Sequence, residues 1–201
     1  MPGSQRLLLP GPAGAIETVI DAPAGAATGI ALVAHPHPLY GGTLDNKVVQ
    51  TLAKTMVELG YLAVRPNFRG VGASEGVHDE GNGETDDLVA VVHAVRERHG
   101  LAGAPLVLAG FSFGSLVVSR VARRLPAARM VFVGTAVTRG KVEDVPEDSI
   151  IIHGETDDVV PLEKVLRWAE PQDLPVVVIP GADHFFHRRL HLIRNIIRRA
   201  W

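Results

Sequence analysis

The run Leu106-Val107-Leu108-Ala109-Gly110-Phe111-Ser112-Phe113-Gly114-Ser115-Leu116-Val117-Val118 decides how this chain is read. Pro105–Ala109 is a short apolar run with strand character, and Ser112–Leu125 has the pattern of a helix. Between them lies a G-x-S-x-G pattern. Such a turn carries a strand straight into a helix and leaves the serine hydroxyl exposed at the strand's end. Glycine flanks it because a side chain there would meet strand or helix. The bland alternative is an ordinary tight turn. The same pattern recurs at Gly72-Ala73-Ser74-Glu75-Gly76. At ordinary residue usage it arises by chance in about one chain in fifteen of this length, so the bare pattern selects neither serine. Context does. Ser74 follows a loop and precedes Val77-His78-Asp79-Glu80-Gly81, which has no helical pattern, so it reads as a loop residue.

On both sides of the Ser112 turn, strand-like runs alternate with helical spacings. Leu7–Leu9 and Ile16–Ile20 read as two strands joined through Gly11-Pro12-Ala13-Gly14, with no helix between them and therefore antiparallel. Thr28–His35 reads as a buried strand. Val48, Leu52, Met56 and Leu59 mark a helix that Gly60 ends, and Tyr61–Arg65 is the next strand. A polar, glycine-rich loop spans Pro66–Gly83. Leu88, Val91, Val92 and Val95 mark a second helix, stopped by Gly100. Arg129–Val133, Ser149–His153 and Pro175–Ile179 complete the strands. A helix follows Pro161, and a C-terminal helix carries Phe186, Leu190, Ile193, Ile197 and Trp201 on one stripe. Continuous apolar strands alternating with helices predict an α/β architecture: a mainly parallel sheet of about seven or eight strands covered on both faces. In such sheets chemistry gathers at the carboxyl ends of the strands.

Composition narrows the field. The 201 residues suit one domain over 1–201. Hydrophobic residues are 46% and charged residues 21%, as in a globular chain rather than a disordered one. A net charge of −2 gives no sign of nucleic-acid or anionic-membrane binding. With no cysteine, a disulfide framework, a thiolate metal site and a cysteine nucleophile are excluded. No apolar run reaches the ~18 residues of a membrane span, and Met1–Gly14 has no secretory pattern, so the expected location is cytoplasmic.

A serine hydroxyl needs a general base, and the base needs an orienting acid. For a nucleophile on a strand–turn–helix the expected chain order is Ser, acid, His, each in its own strand-end loop. Of the nine histidines, His93 and His99 fall on a helix, His78 in the long loop, and His153 closes a strand. His187 and His191 fall on the C-terminal helix at i, i+4, a spacing that can hold zinc. With no third ligand nearby they read as a solvated face, and no metal is expected. His184, in the loop after Ile179, stands at the right place in the order. For the acid, Asp157, Asp158, Glu155 and Asp183 compete. Asp183 adjoins His184, a poor geometry for orienting its ring, and reads as a turn residue or cap.

With Ser112 and His184 in this order, the chain from about Ala31 onward resembles the α/β-hydrolase superfamily. It resembles more narrowly its small, lidless bacterial serine hydrolases. The motifs that carry the likeness are His35-Pro36-His37-Pro38-Leu39-Tyr40-Gly41-Gly42, Asp45-Asn46-Lys47, Asn67-Phe68-Arg69-Gly70-Val71-Gly72, His153–Pro161 and Gly181–Phe186. The resemblance implies that the acid is the fourth residue of the Gly154-Glu155-Thr156-Asp157 turn, which selects Asp157. It also implies carboxylesterase-like activity on a small-molecule ester, with no metal or organic cofactor. An oxyanion hole would take one N–H from Phe113 and one from the loop after the third strand. In that loop Pro36 and Pro38 have no N–H, leaving His37 as the expected donor. The Leu39 N–H or the Tyr40 hydroxyl is the fallback, and Tyr40 is expected against substrate. Arg69 could orient a substrate carboxylate, but the expected role is to anchor its loop, through Glu75 or Asp79. Only Val137–Asp148 separates two strands where related enzymes insert a cap, so no lid and an open, weakly selective site are expected. Amide or peptide cleavage, acyl transfer and a non-catalytic binding module on the same fold are the competing functions. Oligomeric state is not legible.

Overall fold

Strand order is what places the Ser112 turn at the centre of the molecule. The computed structural model describes residues 3–201. It contains β1 (Ser4–Gly11), β2 (Gly14–Asp21), β3 (Ile30–Ala34), α1 (Lys47–Glu58), β4 (Leu62–Pro66), α2 (Asn82–His99), β5 (Leu106–Phe111), α3 (Phe113–Ala122), β6 (Arg129–Val133), β7 (Ile150–Gly154), α4 (Leu162–Ala169), β8 (Val176–Ile179) and α5 (Leu190–Ala200). All eight strands form one sheet, ordered β1-β2-β4-β3-β5-β6-β7-β8. β1 and β2 are antiparallel, as their short glycine turn predicts, and β2 pairs antiparallel with β4. From β4 to β8 every pairing is parallel.

The parallel strands inside the sheet are apolar on both faces because both faces are covered, while the edge strand β8 leaves Val177 exposed. In β3, Ile30, Leu32 and Ala34 join one core cluster with Leu88, Val91, Val92, Leu116 and Val117 of α2 and α3. Ala31 and Val33 join the other, with Val48, Leu52 and Met56 of α1 and Ile193 and Ile197 of α5. The two-residue period of a strand thus splits each run between two helical layers. The chain leaves β3 through α1 to β4 on one side, then returns through α2 to β5 on the other. The strand order therefore reverses between β3 and β5, and a crevice opens at their carboxyl ends.

Two boundaries, the starts of α2 and α5, differ from the sequence reading. α2 begins at Asn82, inside the expected loop, because Glu84 folds back to accept the N–H groups of Asp79 and Gly81. Phe186, expected on the C-terminal stripe, lies before α5 with a φ of 53°, although it is buried in the same cluster as Ile193 and Ile197. His187 also precedes the helix, so it and His191 do not share a helical face. His187 is instead tied to Asp183, which accepts its backbone N–H at 3.1 Å and meets its Nδ1 at 2.6 Å. Residues 134–149, between β6 and β7, form no helix or strand, in line with the expected absence of a cap. Among the described residues, no helix is long and apolar enough to cross a membrane.

Candidate active site

Ser112 occupies the turn between β5 and α3 with φ 52° and ψ −120°, a conformation that L residues rarely adopt. Packing holds it there. Its N–H donates to the Val133 carbonyl of neighbouring β6 at 2.9 Å, and its carbonyl accepts the Ser115 hydroxyl at 2.5 Å. Both flanking glycines are sterically required. A Cβ on Gly110 would lie 2.5 Å from backbone atoms of Gly114 and Ser115, and one on Gly114 would lie 2.3 Å from the Ala34 carbonyl oxygen. The turn can close only because strand and helix backbones meet without side chains. Ser74, in the second copy of the pattern, is a loop lock. Its hydroxyl donates to the Asn67 carbonyl and accepts the Glu17 N–H, each at 2.9 Å.

The structure brings Ser112, His184 and Asp157 together from three strand-end loops. Asp157 follows β7, and its Oδ2 lies 2.7 Å from Nδ1 of His184, which follows β8. That contact puts the imidazole proton on Nδ1 and leaves the Nε2 lone pair free. Nε2 lies 3.0 Å from the Ser112 hydroxyl oxygen. The other carboxylate oxygen of Asp157 accepts the N–H groups of Val159 at 3.0 Å and Val160 at 2.7 Å. Loop closure around the acid therefore fixes its orientation. His153 adds a further wall, its Nε2 donating to the Val160 carbonyl at 2.8 Å and lying 3.5 Å from Asp157. Burial holds the His153 pKa below its ordinary value, so this ring is neutral at pH 7. Of the rival acids, Glu155 accepts the Gly181 N–H and Asp183 holds His187.

The loop after β3 is rigid for reasons its sequence discloses. His35 is fully buried, its Nδ1 donating to the Pro36 carbonyl at 2.6 Å and its Nε2 accepting the Phe68 N–H at 2.9 Å. Burial pushes its pKa down to about 4. Gly41 has a φ of 80°, and a Cβ on Gly42 would lie 2.1 Å from the Pro36 carbonyl oxygen. Of the fallback donors, the Leu39 N–H is spent on His37 Nδ1, while the Tyr40 hydroxyl meets only a long 3.5 Å contact from Arg139 Nη1 and keeps its own proton to donate. The His37 N–H has no protein acceptor among the described residues. Phe113 opens α3, so its N–H belongs to the unsatisfied first turn of that helix.

Ser112 and His184 face a cavity of about 250 Å³, walled by His37, Tyr40, Phe113, Val159 and Phe185. Its floor is built from aromatic contacts, with the His37 ring 4.7 Å from Phe113 and 4.8 Å from Tyr40. Two wall residues, Phe185 and Arg139, escape the sequence reading, as does His78 behind the wall. The His78 ring lies tilted 4.9 Å from that of His37, its Nδ1 touching the buried Glu84 carboxylate off the line of a hydrogen bond. Phe185 adjoins His184 and closes one side. Arg139, from the 134–149 connection, reaches the cavity and lays its guanidinium 5.1 Å from the Tyr40 ring centre. Burial first, then the charges of His78 and Arg139, hold the His37 pKa below its ordinary value against an opposite pull from Glu80 and Glu84. Arg69 anchors its loop as expected but through other partners, a two-pronged contact with Asp87 and a bond to the Gly83 carbonyl.

A doubly covered, mostly parallel sheet that presents a strained serine at its central turn defines the α/β serine hydrolase class. The sequence profile of the family described as "Serine aminopeptidase, S33" matches residues 40–148, and the chain belongs to this family of α/β hydrolases. The matched span contains Ser112 and ends before Asp157 and His184. The chain is 36% identical to an α/β serine hydrolase without lid from Xanthomonas campestris. That likeness covers 100% of this chain and 94% of the other, with a TM-score of 0.92. An α/β serine hydrolase homologue from Coxiella burnetii is 38% identical over 99% of this chain and 98% of its own, with a TM-score of 0.87. An uncharacterised protein of Rickettsia prowazekii is 35% identical over 190 residues, 88% of this chain and 79% of that protein.

Proposed function

We propose that the protein hydrolyses carboxylic esters of small substrates through an acyl-enzyme on Ser112, with His184 as general base and Asp157 as its orienting acid. The observation that carries this reading is the chain of contacts from Asp157 through His184 to the Ser112 hydroxyl, 2.7 and 3.0 Å long, opening on the cavity. As Ser112 Oγ bonds to the substrate's carbonyl carbon, its proton passes to His184 Nε2, and the imidazolium is stabilised by the Asp157 carboxylate. The carbonyl oxygen becomes an oxyanion facing the Phe113 and His37 N–H groups, a contribution of about 10²–10³ in rate for each donor. His184 returns the proton to the leaving alcohol as the carbon–oxygen bond breaks. A water then repeats the sequence, and the acid is released with Ser112 restored.

The family's description raises cleavage of a peptide bond at a free amino terminus as a second reading. Such a substrate presents an ammonium group, which calls for a carboxylate in the wall. Among the described residues no Asp or Glu lines the cavity, and Arg139 would repel the ammonium. This favours esters. The deciding experiment measures initial rates on aryl esters of increasing acyl length beside aminoacyl arylamides, with Ser112→Ala as control. The proposal expects turnover of the short esters and none in Ser112→Ala. Turnover confined to the arylamides, or equal rates in Ser112→Ala, would contradict it.

A further inference from the structure

The cavity has a one-sided charge. Arg139 is its one full cation, and no acidic residue lines it among the described residues. A second hollow shares Asn46 and Phe185 with the first and adds Lys47 and Arg188, again with no acidic side chain in its wall. None of these three cations forms an ion pair among the described residues, although the chain as a whole is slightly acidic, with 22 Asp and Glu against 20 Lys and Arg. Six of the sixteen arginines, Arg6, Arg65, Arg69, Arg124, Arg167 and Arg194, pair with carboxylates among the described residues, and Arg139, at the cavity, is among those that do not. Arg139 is instead oriented by an aromatic face, over Tyr40 with a long 3.5 Å contact from Nη1 to the hydroxyl. A ring positions a guanidinium without neutralising it, and its planar fork matches a carboxylate.

We propose that Arg139 is a specificity-determining residue that recognises a carboxylate carried by the substrate at a distance from the scissile ester. The proposal deepens the ester-hydrolase reading and rests on it: the preferred substrates are half-esters or acylated hydroxy acids, bearing one free carboxylate and one ester. The cavity's apolar wall of Phe113, Val159 and Phe185 takes the hydrocarbon between the two groups. The 134–149 connection, too short for a lid, thereby supplies a charge that selects substrate where a lid would otherwise shape the site.

The test compares 4-acetoxybenzoate with neutral 4-acetoxybenzamide, following release of the phenol, in wild type, R139Q, R139K and R139E. Wild type is expected to prefer the anion by about tenfold or more in kcat/KM, chiefly through KM. R139Q erases that preference, R139E inverts it, R139K restores part of it, and added salt shrinks it. Equal kcat/KM for the two substrates in wild type would overturn the proposal. So would a preference that survives in R139Q and R139E, since anion recognition would then belong to Lys47 and Arg188. A readout independent of turnover separates this failure from failure of the ester reading. Protection of Ser112 from a fluorophosphonate by 4-hydroxybenzoate, beyond that by 4-hydroxybenzamide and lost in R139Q, supports carboxylate recognition even where neither ester is cleaved. Ester turnover with no charge preference and no such protection refutes carboxylate recognition and leaves the ester reading standing.

Discussion

At the scale of single residues, the hydrogen-bond division of Asp157 gives a sharp expectation. One oxygen holds the loop through Val159 and Val160, and the other faces His184. In Asp157→Asn the amide oxygen can keep the loop contacts, while the NH₂ group then points at His184 Nδ1. That forces the proton to Nε2 and removes the lone pair that should accept from Ser112. The expected result is a fall in kcat of roughly 10³–10⁴ with a melting temperature within about 4 °C of wild type. Steady-state kinetics and thermal melts of the same sample check both halves. A large loss of stability, or near-normal kcat, would remove Asp157 from the proposed role. Ser112 and His184 were legible in the sequence because chain order and strand ends constrain them. Asp157 was selected only with the added resemblance, since four acidic residues crowd the same loops. Arg139 was not legible: its partner is the Tyr40 ring, about a hundred residues away, and no local pattern announces a cation–π contact across that separation.

At the scale of elements, the ends of β3 and β4 are fastened by His35. Its ring bonds Pro36 on one side and Phe68 on the other, and burial keeps it neutral. Folded, it takes a proton only near pH 4, whereas exposed in the unfolded chain it does so from about pH 6.5. Between those values the unfolded state binds more protons, so stability is full above 6.5 and falls as pH drops toward 4. His153, whose pKa is also lowered by burial, acts in the same direction. Urea unfolding should give a free energy lower by roughly 2 kcal/mol at pH 5 than at pH 7.5. A flat profile across that window would contradict the buried neutral state. Strand positions were legible because the parallel strands from β3 to β7 are buried on both faces and read as apolar runs; the edge strand β8, with Val177 exposed, still carries a short run of valines. Helix starts were less so. α2 begins early through the backbone-capping Glu84, and α5 begins late because Phe186 and Arg188 sit at positive φ before it. Burial alone gave Phe186 the look of a helical stripe residue.

At the scale of the whole molecule, the reversal of strand order between β3 and β5 gathers four loops over one crevice. Those loops supply the candidate oxyanion donors, nucleophile, acid and base. The short 134–149 connection leaves that crevice uncovered and sends Arg139 to its rim. The α/β class was legible from the alternation of elements. The rim was not, because it depends on which loops the completed sheet brings together. The proposed nucleophile is Ser112, activated by His184, and treating the protein with a fluorophosphonate and locating the adduct by mass spectrometry decides that assignment. One equivalent on the peptide containing Ser112, absent in Ser112→Ala and formed far more slowly in His184→Ala, is the predicted result. An adduct on Ser74, labelling retained in Ser112→Ala, or no labelling of the wild-type protein would contradict it.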